Sequence, residues 1–446
     1  MPRLPLVVVC ILARLTSAFF NASDDDLNDK DYKSYEGYQV LTFLPQSKGE
    51  LDVINSLETV LNQELDFFRH AAVPGRRSDV ILPPDLIWDA KEYLLQNNVD
   101  YNVSIPNLRI PIERQRRALR APVSAARPPT FNTFNLNTYH TYSEQMQFLS
   151  MAAISNPSLV RLFTIGRSFQ NRNVLGVTLG TKRPNKPILF VDGGIHAREW
   201  ISPAVALFFI REFLKPQYRT LLNSIDIMIV PNVNPDGYEW SRTRDRLWRK
   251  TRSGPSRGCF GTDLNRNFPF RYAFLGSSAN PCSEIFHGRG AMSEIEGRNL
   301  RNVLLARRAN IKGYVTLHSY GENLLYPWGY NVRTYPSDVT DLINMGRAMS
   351  QAIQRVHGTR YAVANAADLL YPAAGASDDY AKSIGIKYVY TVELRPGEND
   401  RENDEKYGFE LPAAYIQRTG DEVFQGVLVL ARRVAGWSLL PQRGRR

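Results

Sequence analysis

Five short runs limit what this chain can become more than any other feature: NVLGVTLG (173–180), PILFVDGG (187–194), IDIMIVPNVN (225–234), GYVTLHSYG (313–321) and YVYTVELR (388–395). Each is almost continuously apolar, yet each is far below the roughly 18 residues a membrane span requires. Strands of this composition are buried on both faces, as happens when helices cover a sheet on two sides. The segments PAVALFFIREFL (203–214), DLINMGRAMSQAIQRVHG (341–358) and AAYIQRTGDEVFQGVLVLARRVAGW (413–437) read as those helices. Residues 128–437 are therefore expected to form an α/β domain, a mixed twisted sheet covered by helices. In such a sheet the ligand site lies beyond the strand ends.

The chain ahead of this domain is patterned differently. YQVLTFLP (38–45), SDVILPP and YNVSIP read as strands, and ELDVINSLETVLNQEL and DLIWDAKEYLLQNN read as helices. Together they predict a small α/β open sandwich within residues 19–108. Residues 1–18 have Arg3, an apolar run and small residues ending at Ala18, which is the form of a secretory signal. Export places the product outside the cell in an oxidising compartment. Of the three cysteines, Cys10 falls in the signal, which leaves Cys259 and Cys282 as the pair available for a disulfide. The sequons at Asn21 and Asn102 are glycosylation candidates in the same compartment.

A net charge of +11 raises the question of nucleic acid binding. Eight of those charges sit in two short segments, residues 109–127 and the tail 438–446. Charge so concentrated, away from any folded face, reads as an exposed, cleavable or solvated segment rather than as a nucleic-acid footprint. RQRR (114–117) is a multibasic site of the kind a furin-like or trypsin-like protease cuts, with Arg117 as the cleavage residue. A small domain, a basic activation segment at 109–127 and a large domain form the layout of a zymogen. No second apolar stretch is long enough for a membrane span.

Chemistry-bearing residues gather at the predicted strand ends. His196 and Glu199 follow PILFV through the turn DGG, and His318 ends GYVTL. Two imidazoles and a carboxylate are the ligand set of a catalytic zinc, which keeps a fourth position open. Glu393 ends an otherwise apolar strand, where an idle carboxylate would be costly to bury and a general base would be useful. Arg249, Asn265 and Arg266 offer cations and an amide suited to holding a carboxylate.

At this point GGIHAREWISPA, WRKTRS, DLNRNF, HSYGENLLYPWG, YPAAGASDDY and TVELR, in this order and spacing, resemble the secreted zinc metallocarboxypeptidases of the pancreatic A/B type. The resemblance implies one Zn2+ per chain on His196, Glu199 and His318, and Glu393 as the base acting on the attacking water. It further implies that Arg249 stabilises the oxyanion and that Asn265 and Arg266 grip the terminal carboxylate. Tyr371 would close over the bound residue, Arg198 and Tyr320 would contact the peptide further up, and Cys259 with Cys282 would form the family disulfide. The preceding domain would be an inhibitory prosegment, and the substrates would be peptide or protein C-termini. Asp378 stands where B-type members keep an acid on the pocket floor, which implies a Lys/Arg preference. Ala376 and Gly329 depart from the usual pocket residues. The alternatives are A-type preference for apolar C-terminal residues, or an inactive secreted binding relative. The family also implies cis peptides at Ser319–Tyr320, Pro327–Trp328 and Arg395–Pro396. The acidic insert PGENDRENDEK (396–406) is expected at the cleft rim.

Overall fold

The computed structural model describes residues 31–71, 73–120, 128–397 and 405–437. The signal segment, Asn21, the basic tail and most of the acidic insert lie outside the described residues.

The large domain is built on an eight-stranded sheet in the order β11-β10-β12-β9-β7-β8-β6-β5. Its strands are β5 (Val160–Arg167), β6 (Asn173–Leu179), β7 (Ile188–Gly193), β8 (Asp226–Val230), β9 (Ile311–Ser319), β10 (Asn323–Tyr326), β11 (Ala362–Asn365) and β12 (Tyr388–Leu394). The pairs β8–β7, β7–β9, β9–β12 and β10–β11 are parallel, and the remaining pairs are antiparallel. The mixed sheet is the one the apolar runs predicted. Alternation along β7 shows why those runs are apolar throughout. Leu189 and Val191 enter one core with the helices Ile201–Phe213, Val339–His357 and Tyr415–Val434, while Ile188 and Phe190 enter a second core with Ile295–Arg307. Three strands of this sheet escaped the sequence reading. In β5 the residues between Val160 and Ile165 are not buried, so the strand lacks the apolar signal. β10 and β11 have four residues each, too few to show a period.

The small domain is a four-stranded antiparallel sheet in the order β2-β3-β1-β4, from Asp66–Arg69, Ser78–Leu82, Gln39–Phe43 and Asn102–Ile105 respectively. Leu41, Phe43, Val80 and Leu82 face the helices Lys48–Val60 and Ile87–Gln96, which completes the open sandwich. Val40, Ile81 and Ile105 face the other way, onto Leu247, Tyr320 and Phe409 of the large domain. The small domain thus presents its bare sheet face to the strand ends of the large one.

The basic segment requires a correction. Residues Arg109–Arg120 are not an unfolded charged stretch but a helix, with Ile112 and Gln115 buried and Arg114, Arg117 and Arg120 exposed. The arginines occupy one side of an amphipathic helix, and the apolar residues between them carry the fold. Residues 121–127 lie outside the described residues. The disulfide Cys259–Cys282 is formed. The three expected cis bonds are present, together with one at Gly254–Pro255 that was not expected.

Candidate active site

The loop after β7 starts with a turn that needs glycine. Gly194 has φ +66°, and a Cβ there would lie 2.8 Å from Asn232 Oδ1. Ser202, in the first turn of the next helix, accepts from Gly194 N at 2.9 Å and donates to Leu317 O at 2.6 Å. One hydroxyl therefore ties the loop carrying His196 and Glu199 to the end of β9, which carries His318.

The three residues converge. His196 Nδ1 lies 2.7 Å from Glu199 Oε1, His318 Nδ1 lies 3.1 Å from Glu199 Oε2, and the two Nδ1 atoms are 3.1 Å apart. Their donor atoms all fall within 4.8 Å of one another, and all three side chains are buried. The outer face of His196 is fixed by Asp263, whose Oδ1 lies 3.1 Å from Nε2. A carboxylate can only accept, so Nε2 carries the proton and Nδ1 turns its lone pair inward. Asp263 Oδ2 in turn accepts from Arg249 Nε and Nη2 at 3.1 and 2.9 Å. Burial works against positive charge on His318 while the Glu199 carboxylate favours it, and a cation bound between the two would supply that charge and leave the imidazole neutral. Glu199 is itself pulled below the carboxylate range by both histidines, against the effect of burial. A cluster that draws positive charge to three inward donors of this kind fits a zinc ion with one position open.

Glu393 is the register partner of His318 across β12 and β9. Burial pushes its carboxyl up to about 7, opposed by His318 and reinforced by Glu199. Glu393 lines a cleft of about 110 Å³ together with His196, Glu199, His318, Arg249, Asn265, Arg266, Tyr320, Tyr371 and Asp378. Arg266 Nη2 donates to the Tyr371 hydroxyl at 3.0 Å, and Asn265 Oδ1 accepts from Ser377 N at 2.9 Å. Asp378 accepts from Thr391 Oγ1 and from Asp379 N, both at 2.9 Å. Among the expected site residues Arg198 alone lies off the cleft lining; it is buried and turned toward the small domain.

The small domain fills the mouth of this cleft. Asp66 accepts from Arg198 Nη1 and Nη2, the latter at 3.0 Å. Phe68 meets Phe409 edge-on at 4.8 Å, Arg69 lies over the Tyr320 ring at 4.7 Å, and the His70 ring is 5.5 Å from Tyr371. The sequence reading missed these residues and Asp263. Asp263 stood inside DLNRNF as an acid among cations, a signal that could have been used.

Residues 145–426 match the protein family described as Zinc carboxypeptidase. The chain belongs to that family. Residues 41–115 match the family described as Carboxypeptidase activation peptide, so this zinc carboxypeptidase is a zymogen with its own prosegment as inhibitor. Carboxypeptidase A1 of Bos taurus is 34% identical over 404 residues, which is 89% of this chain and 94% of the relative. Carboxypeptidase B of Astacus astacus is 42% identical over 302 residues, 67% of this chain and 97% of the relative. The crystal structure of carboxypeptidase A from Helicoverpa armigera aligns with a TM-score of 0.83 at 31% identity, over 91% of this chain and 99% of that one. Relatives of this zinc carboxypeptidase thus include both A and B types. Among the described residues, no helix is long and apolar enough to cross a membrane.

Proposed function

We propose that this chain is a secreted zymogen whose activated form removes single Lys or Arg residues from peptide and protein C-termini. The observation that carries the specificity is Asp378. It is a buried carboxylate on the cleft lining, with hydrogen bonds from Thr391 and Asp379 but no cationic partner among the described residues. A charge so placed is costly without a counter-ion, and a basic substrate side chain would bring one. Gly329 and Ala376 line the same cleft and leave space for a long side chain.

In this reading Asn265 and Arg266 grip the terminal carboxylate, which restricts the enzyme to chain ends. Tyr371 closes over the bound residue, and Arg198 and Tyr320 contact residues further up the peptide. Arg249 faces the oxygen that gains charge. Glu393 accepts a proton from the attacking water and delivers it to the leaving amine. Bound zinc supplies Lewis acidity, polarising the carbonyl and acidifying the water. The Cys259–Cys282 disulfide accords with an oxidising, extracellular location. A furin-like or trypsin-like protease cuts after Arg117, whose side chain is 80% exposed, and the prosegment leaves.

The test is kcat/KM of the cleaved enzyme on short peptides that differ only in their last residue. Arg and Lys are expected to exceed Leu and Phe by about 100-fold, and Asp378→Asn to abolish that preference. Equal or faster turnover of the Leu peptide would establish apolar specificity instead.

A further inference from the structure

His318 turns Nδ1 toward the metal centre, so its ring proton has to sit on Nε2. His196 meets the same demand directly through Asp263. The group facing Nε2 of His318 is different: Thr316 Oγ1, at 3.2 Å. A hydroxyl can donate or accept and by itself selects no tautomer. The choice is made one atom further out, where Thr316 Oγ1 lies 2.8 Å from Asp192 Oδ1. An ionised carboxylate has no proton to give, and the hydroxyl has only one. That proton goes to Asp192, which leaves only lone pairs facing His318 Nε2.

We propose that Asp192 and Thr316 are positioning residues that hold His318 in its Nε2–H tautomer and so turn the Nδ1 lone pair onto the metal.

The sheet builds this relay. Asp192 and Thr316 are register partners on adjacent parallel strands β7 and β9. Thr316 and His318 are two residues apart on one strand, so they share a face. Asp192 and Thr316 are both 0% exposed, so solvent does not compete for the hydroxyl. Burial raises Asp192 to about 6, which leaves it ionised at pH 7.5. Asp192 ends an otherwise apolar run, where a carboxylate used for nothing would be costly. The two zinc histidines are thereby oriented by different devices: His196 by a carboxylate in direct contact, His318 by a carboxylate acting through a hydroxyl.

The experiment compares the intact zymogen with its Thr316→Val and Thr316→Ser variants. Zinc affinity is measured by competition with a chelator, and the melting temperature of the metal-free protein is measured alongside. Val keeps the shape of Thr and removes the acceptor; Ser keeps the acceptor. Thr316→Val is expected to bind zinc about 10- to 100-fold more weakly, with Thr316→Ser within a few-fold of wild type and metal-free melting similar in all three. Wild-type affinity in Thr316→Val would overturn the proposal. So would equal losses in both variants that track a drop in metal-free melting, since that pattern means sheet stability alone. No substrate enters the measurement, so its failure is distinct from failure of the Lys/Arg reading.

Discussion

Asp66 of the prosegment and Arg198 of the catalytic domain form a two-pronged ion pair across the domain boundary, with the arginine 1% exposed. Arg198 belongs to the loop between two zinc ligands, so the pair ties the inhibitor to the metal-binding segment itself. Removing the carboxylate would leave a buried cation without its paired carboxylate, a loss of about 3 kcal/mol. The Asp66→Ala zymogen should therefore hydrolyse a short peptide about 100-fold faster than the wild-type zymogen before any cleavage. Unchanged latency would mean that the apolar contacts of Phe68 and the neighbouring strands hold the prosegment alone.

Glu393 lies beside the metal ligands without being one of the three converging donors. Glu393→Gln should keep its zinc, measured by elemental analysis, and lose about 10²- to 10⁴-fold in kcat. Retention of activity would remove the residue from the role of base.

Gly194 opens the loop that delivers His196, in a backbone region that favours glycine and against Asn232. Gly194→Ala should displace the turn and reduce zinc content as well as stability. A variant with full zinc and unaltered melting would show that the turn tolerates a Cβ.

A pH effect on stability is expected from a group remote from the metal. Glu296 is 0% exposed; its Oε1 accepts from Phe169 N at 2.8 Å, and burial raises its pKa to about 7, against this hydrogen bond. The raised value means that the folded state binds the proton more tightly than the unfolded chain. Its stabilising contribution is complete below about pH 4.5 and is lost as the pH rises through about 7. The shift corresponds to about 3 kcal/mol. Glu296→Gln retains the oxygen that accepts from Phe169, so its melting temperature should exceed wild type at pH 8 and match it near pH 4.5. Equal pH profiles would show that Glu296 titrates normally.

The parts of the site that the sequence made legible share one property. His196, Glu199, His318 and Glu393 are polar residues at the ends of apolar strands, and burial makes such residues conspicuous. Asp66, Arg69 and His70 gave no comparable signal. Asp66 and Arg69 lie on the four-residue strand DFFR and His70 just beyond it; the strand is too short to show a period, and its partners in the large domain are more than 100 positions away in the chain. Thr316 was hidden for another reason: threonine suits any strand, and only the neighbouring Asp192 and His318 give its hydroxyl a task. The arginines of 109–120 were conspicuous but misleading, because charge density masked the buried side of a helix.

That helix bears on the proposed cleavage after Arg117. Gln115 lies inside RQRR, yet it is buried. Its Oε1 accepts from Arg246 Nε at 2.6 Å and its Nε2 donates to Leu411 O at 3.2 Å. Arg246 is itself fully buried and donates to Arg198 O at 2.8 Å, so the activation helix is latched to the same loop that Asp66 grips. A protease binds its substrate extended, so the helix around Arg117 has to open before it can be cut. Gln115→Ala removes both bonds and leaves a buried guanidinium nitrogen unpaired, a loss of about 1–3 kcal/mol from the closed helix. Cleavage by a trypsin-like protease, followed by gel electrophoresis of the zymogen, should accelerate about 5- to 100-fold. If the variant is cut at the wild-type rate, opening of the helix does not limit activation and the Gln115–Arg246 contact has no part in it.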